Sequence, residues 1–177
     1  MVLETHGFAE KEMAKECTNI VLSRSKIKKQ PDMKLEDLFS SMPKYAIFLF
    51  LITAFFVVMT ILGKAGVLGY ICLGLSAAAT FVMVILWISM KKTYNNFMNN
   101  PEDVTVTIDE SGVKLDDHKA QKIELTWSGI AFARFFEKNV AFFPTSDTGL
   151  AIIIPGEFAA DIRAFLQSEK PDLKVIG

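Results

Sequence analysis

The apolar residues of this chain are gathered into one block rather than spread evenly, and that block sets the architecture. From Tyr45 to Leu62 the sequence runs YAIFLFLITAFFVVMTIL, eighteen residues without a charge. As a helix this run extends about 27 Å, close to the hydrocarbon thickness of a bilayer. Gly63-Lys64-Ala65-Gly66 then leads to a second uncharged run, Val67 to Met90, which reaches about 36 Å as a helix and spans with some tilt. A connection that short permits only a tight antiparallel turn, so the pattern predicts a transmembrane helical hairpin over 45–90, with spans 45–62 and 67–90. Two long runs that leave no polar face for water argue against a buried helix pair in a water-soluble protein. The 44 mostly polar residues ahead of the block set it too far from the N-terminus for a signal peptide, and no cleaved leader is expected.

Charges at the ends of the block orient it. Arg24, Lys26, Lys28, Lys29, Lys34 and Lys44 precede it, Lys91 and Lys92 follow it, and Lys64 is alone in the turn. The bias places both termini in the cytoplasm. Tyr45, Tyr70, Trp87 and Tyr94 fall near the ends of the runs, where amphipathic rings prefer the headgroup layer. Gly74 and Ala78 form a small-x-x-x-small pair, with Ser76 and Thr80 one turn apart, and are the candidate packing site for the first span or for a second copy. Neither run contains Asp, Glu, His, Lys or Arg, which argues against an ion or proton pathway.

Residues 1–44 read as a cytoplasmic amphipathic helical segment. Met13, Cys17, Ile20 and Val21 supply an apolar stripe at helical spacing, and Pro31 interrupts the helix after the basic cluster Arg24 to Lys29. Leu35, Leu38, Phe39 and Met42 then repeat as a short interfacial helix ahead of the first span. The basic cluster reads first as a topology signal and second as an attraction to anionic lipid.

Beyond Met90 the period changes to that of strands. Val104, Val106 and Ile108 alternate with threonines, Asp109-Glu110-Ser111-Gly112 makes a turn with glycine placed for a positive φ, and Val113 and Leu115 return. Asp116 to Gln121 reads as a loop, Ile123, Leu125 and Trp127 as a third strand, Ile130 to Phe136 as a fourth, Val140 to Phe143 as a fifth and Leu150 to Ile154 as a sixth. Phe158, Ile162, Phe165 and Leu166 then share one face of a closing helix, Glu157 to Glu169. Six short antiparallel strands and a terminal helix make an α+β fold, with the helix covering the sheet or closing a curled barrel.

Composition narrows the function more than it defines it. With 177 residues, 51% of them hydrophobic, a formal net charge of -1 and mean hydropathy +0.31, the chain has room for one domain beside the hairpin. No polyanion partner is implied, and nucleic acid is not expected. Cys17 and Cys72 offer neither a disulfide framework nor a metal-ligand spacing. His118 lies beside Asp116 and Asp117, yet three neighbours in a loop favour solvation over a metal site or an acid–base triad, and His6 stands apart. Ser111 and Ser128 lie in no nucleophile motif, and no phosphate-binding glycine loop is present. Trp127 alternates with Ile123 and Leu125 and reads as a core residue.

The candidate interaction residues are Arg134, Lys138, Phe135 and Phe143. Arg134 and Lys138 flank a hairpin tip, where basic groups meet lipid phosphate in many lipid-reading modules. Against that, residues 91–177 carry ten basic and thirteen acidic side chains, a net of -3, which an anionic leaflet repels. The apolar run Phe132 to Phe143 exceeds what one face of a small sheet needs. Either Phe135 and Phe143 pack beneath the terminal helix, or a second face is covered by self-association, by the N-terminal helix or by another protein.

The stretch VTVTIDESGVKL, followed by KIELTWSGI and by NVAFFPTSDTGLAIIIPGEF with a closing helix, resembles the C-terminal domain of the YcxB-like family, small bacterial membrane proteins with a transmembrane hairpin ahead of this domain. The resemblance rests on the strand entering Asp109-Glu110-Ser111-Gly112, on Trp127-Ser128 before Ile130, and on Ile154-Pro155 before the helix bearing Phe158. It covers residues 100–168 and implies a pleckstrin-homology-like sheet and helix over 100–170 on the cytoplasmic face and no known catalytic residue; from the residues themselves no cofactor or metal is expected. Family members carry an extended strand before the hairpin, for which this chain offers only Val2 to Thr5. The expectation is a non-enzymatic bacterial plasma-membrane protein that presents this domain for protein binding or self-association, with lipid-headgroup sensing as the alternative.

Overall fold

A computed structural model of the chain describes residues 1–5, 10–99, 104–116, 122–147 and 150–177. Strand β1 (Val2–Thr5) is followed by helix α1 (Lys11–Lys29) and by two long helices, α2 (Leu38–Ile61) and α3 (Val67–Asn99). Strands β2 (Val104–Ile108), β3 (Gly112–Asp116), β4 (Lys122–Thr126), β5 (Ile130–Phe135), β6 (Asn139–Pro144) and β7 (Ile152–Pro155) come next, then helix α4 (Ala159–Glu169) and the two-residue strand β8 (Val175–Ile176). The protein is α+β, with two compact units: residues 37–93, and residues 1–36 together with 94–177.

Both long helices are apolar enough to cross a membrane, with mean hydropathy 2.2 for Leu38–Ile61 and 2.4 for Val67–Asn96. Their flanks stand open: no residue of α2 is buried, and among the described side chains of α3 only Ser76 and Met90 are. The sequence expected a separate interfacial helix before the first span. Instead α2 starts at Leu38 and runs through Pro43 into the apolar stretch. The Asp37 carboxylate accepts the Ser40 amide at 3.1 Å and so caps the N-terminus of α2, while Leu35 remains outside the helix. Pro43 is the sixth residue of α2, past the positions whose amides lack an i−4 partner, so the helix forgoes one amide-to-carbonyl bond there. Gly63, at φ 66°, ends α2. Its amide bonds to the Thr60 carbonyl and the Lys64 amide to that of Met59, both at 3.0 Å, a left-handed cap that suits glycine.

The other unit holds two four-stranded sheets, ordered β1-β2-β3-β4 and β7-β6-β5-β8. Two strands therefore join the six expected from alternation. Val2–Thr5 pairs antiparallel with β2, Leu3 opposite Val106, so the first sheet is begun by the N-terminus and completed some hundred residues later. Val175–Ile176 pairs parallel with β5; two residues carry no readable period, which is why alternation misses them.

Two cores fill this unit, one on each face of the second sheet. On one face Val140, Phe142, Ile152 and Ile154 pack with Leu3, Val106, Ile108 and Val113 of the first sheet and with Ile162 and Leu166 of α4. On the other, Phe132, Ala141 and Phe143 pack against Ile20 and Ile27 of α1, with Met33 and Leu35 beside them. Every residue of β6 is buried, as expected of a strand covered on both faces. Of the coverings considered for the second face, the N-terminal helix is the one present. The inward side of α1 is not quite the predicted stripe: Cys17 and Ile20 are buried, Val21 is 44% exposed, and Ile27 replaces it.

Candidate functional site

The densest set of long-range polar contacts lies where α1 and the segment after it, residues 30–36, cross strands β5 and β6. Arg134 is placed by strand alternation on the same face as Phe132, under this segment. Its Nη1 donates to the Pro31 carbonyl at 2.6 Å and its Nη2 to that of Met33 at 2.5 Å. The guanidinium also stacks over the Phe136 ring at 4.5 Å and is 8% exposed. Burial lowers its pKa from the ordinary arginine value, while Asp32 and Glu16 act in the opposite sense; it stays charged throughout the physiological range. Arg134 is thus not a tip residue open to lipid phosphate, because both arms of its fork are spent on main-chain carbonyls.

A carboxylate on α1 holds the hairpin tip. Glu16 accepts the Glu137 amide at 3.1 Å, the Lys138 amide at 2.9 Å and the Asn139 side-chain amide at 2.8 Å. Asn139 Nδ2 also donates to the Met13 carbonyl at 3.2 Å, and its buried Oδ1 meets no donor among the described residues. The Lys138 amide is engaged in this way, and its carbonyl accepts the Gly156 amide at 2.8 Å. At the other end of α1, Lys28 Nζ donates to the Ser146 carbonyl at 2.6 Å and to Asp147 Oδ1 at 3.2 Å. Neither Glu16 nor Lys28 is legible in the sequence, since each is a charged helix residue whose partners lie more than a hundred positions away.

The remaining candidates are separated by the fold. Phe135 belongs to the α4 side, with Arg163 over its ring at 4.2 Å, whereas Phe143 stacks on Phe132 at 4.7 Å beneath α1. The two do not form one surface. Gly74 and Ala78 are exposed and no neighbour approaches Gly74. The long helices meet instead where Thr53 Oγ1 lies 3.2 Å from Thr80 Oγ1. Around that contact, part-buried Leu49, Thr53 and Phe56 and part-buried or buried Leu73, Ser76, Thr80 and Met83 repeat at intervals of three and four, the spacing of a left-handed helix pair.

Trp127 lies just after β4, stacked on Phe165 at 6.2 Å and edge-on to Phe142 at 6.4 Å. Its Nε1 donates to the Asp109 carbonyl at 2.9 Å, so the expected core tryptophan also ties down the β2–β3 turn. In that turn the Asp109 carboxylate accepts the Ser111 hydroxyl at 2.5 Å and amide at 2.8 Å, and Lys114 Nζ lies 3.2 Å away. These bonds hold its pKa well below the usual carboxylate range. Gly112 is required there less by its φ than by space, because a Cβ would collide with the Leu125 carbonyl across the pair. Ser111 is therefore occupied by Asp109, and Ser128 Oγ lies 3.2 Å from Thr126 Oγ1. Asp116 closes β3 and pairs with Lys122 at 2.8 Å; His6, Asp117 and His118 lie outside the described residues. Among the described residues no group of three His, Cys, Asp or Glu side chains converges. Compared with protein-family models, with curated proteins and with solved structures, the chain has no match.

Proposed function

We propose that this chain is a non-enzymatic bacterial plasma-membrane protein of the YcxB-like family. On this reading α2 and α3 cross the bilayer with both termini cytoplasmic and hold a pleckstrin-homology-like domain at the inner face, where it binds a protein partner or a second copy. The observation that carries the reading is the place of the hairpin in the fold. It is inserted between β1 and β2, neighbouring strands of one sheet, so the domain is joined to the two helices by two chain connections rather than one. A double connection restricts rotation and suits a domain that must present a fixed surface. The basic residues ahead of α2 and at Lys91 and Lys92, against Lys64 alone in the turn, support the orientation. The order of a four-stranded antiparallel sheet, a second sheet built on the β5-β6-β7 meander and a closing helix supports the pleckstrin-homology-like reading.

Carbonate extraction and a topology reporter inserted in the Gly63–Gly66 turn test the anchoring: the protein stays in the pellet and the reporter is active outside the cytoplasm. A cytoplasmic reporter overturns the orientation. Crosslinking of the full-length protein in native membranes then separates a heterologous partner from self-association. The alternative, recognition of lipid headgroups, is favoured by one specific feature of α1.

A further inference from the structure

We infer that the exposed side of the C-terminal half of α1 is a docking surface for an anionic lipid leaflet, and that it fixes which side of the domain faces the bilayer. The inference rests on the membrane reading of α2 and α3. Helix α1 carries six basic side chains, Lys11, Lys15, Arg24, Lys26, Lys28 and Lys29, against two acidic ones, Glu12 and Glu16. Residues 94–177, which form most of the rest of its unit, carry eight basic and thirteen acidic side chains. Charge is therefore segregated, with a basic helix laid on an acidic body. Glu16 is turned inward onto the Glu137, Lys138 and Asn139 donors, and Lys28 onto the Ser146 carbonyl and Asp147, which leaves five basic side chains of the helix against Glu12.

Leu22, Ser25, Lys26 and Lys29, in the C-terminal half of α1, are all exposed and fall within about a third of a turn of one another at 100° per residue; toward the N-terminus the same side is closed at Ala14 and Thr18, both 0% exposed. Val21 and Leu22 add apolar side chains 44% and 42% exposed, beside lysines whose long stems let the charge reach headgroups. Lys26 lies 3.9 Å from the Glu36 carboxylate, with both side chains well exposed, a pair too open to compete strongly with a charged surface. Chain connectivity points to the same occupant. Eight residues separate Lys29 from Leu38, where α2 begins, a reach of at most about 30 Å. An acidic domain held this close to an anionic leaflet lowers its energy by turning its basic helix toward it.

The test uses the full-length protein in lipid nanodiscs. A Leu22→Cys, Cys72→Ala variant carries an environment-sensitive dye at position 22, and Cys17, 1% exposed, stays unlabelled. In discs with about 30% phosphatidylglycerol, quenching by acrylamide is expected to fall about threefold relative to all-phosphatidylcholine discs, and to recover in about 0.5 M salt. A headgroup-attached quencher should show the reverse order. Adding Lys26→Gln and Lys29→Gln should abolish the difference while Cys17 remains unreactive, which shows that the fold is intact. Equal quenching in both lipids, or shielding that follows the number of copies per disc, overturns the inference. Carbonate extraction of the same protein tests the membrane reading separately, so the two failures are distinguishable.

Discussion

Replacing Arg134 by alanine separates a structural clamp from a lipid contact. The guanidinium donates one hydrogen bond to each of the Pro31 and Met33 carbonyls, and a bond from a charged donor is worth about 1.5–3 kcal/mol. Stacking on Phe136 adds about 0.5–1 kcal/mol. Two effects oppose these gains: the variant no longer buries a charge, and both carbonyls belong to part-buried residues that water can reach. The net expected loss is about 2–3 kcal/mol. It falls first on residues 30–36, where the Met33 amide donates to the Gln30 carbonyl at 3.0 Å and so provides a local reporter. Hydrogen exchange of that amide should accelerate about 30- to 150-fold, with a lower urea midpoint in detergent micelles. Arg134→Lys should recover less than half of the loss, since a single ammonium does not span two carbonyls as the planar fork does. Unchanged exchange and midpoint, together with weaker binding to anionic vesicles, would refute the clamp and restore the lipid contact read from the sequence.

Phe143→Ala removes a fully buried ring stacked on Phe132 and should destabilise the domain by about 3–5 kcal/mol in urea titrations; a loss below about 1 kcal/mol would mean that α1 does not cover this face. A fragment of residues 100–177 lacks both β1 and α1, so it should stay unfolded or aggregate, whereas residues 1–36 joined by a flexible linker to 94–177 should give dispersed amide spectra. Asp109 has its pKa depressed below the ordinary 3.8. Its contribution is fully present above that value and is lost as pH falls through the lower folded-state value; Asp109→Asn should therefore flatten this part of the acid-unfolding curve followed by tryptophan fluorescence. Burial raises the Cys17 thiol far above its usual range, so alkylation in the native state should wait on detachment of α1, and Glu16→Gln should speed it.

Much of the architecture follows from local pattern. Eighteen uncharged residues from Tyr45 specify a spanning-length helix whatever surrounds them, because length and polarity alone decide whether a segment suits hydrocarbon. Alternation at Val104–Ile108 and the 3.6-residue period at Phe158–Leu166 likewise yield β2 and α4, since a strand or helix with one apolar face has one direction in which to bury it. Long-range partners are different in kind. That β1 completes a sheet with β2 across the inserted hairpin, that α1 rather than a second copy covers Phe143, and that Arg134 turns in to Pro31 and Met33 depend on contacts between residues about a hundred positions apart. A lysine or arginine reads as solvated in sequence because exposed and buried charges have the same letter; only the tertiary structure supplies the carbonyls and carboxylates that distinguish them. For the same reason the excess apolar run from Phe132 to Phe143 reveals that a second face exists, while its covering is decided by which element the chain brings back to it.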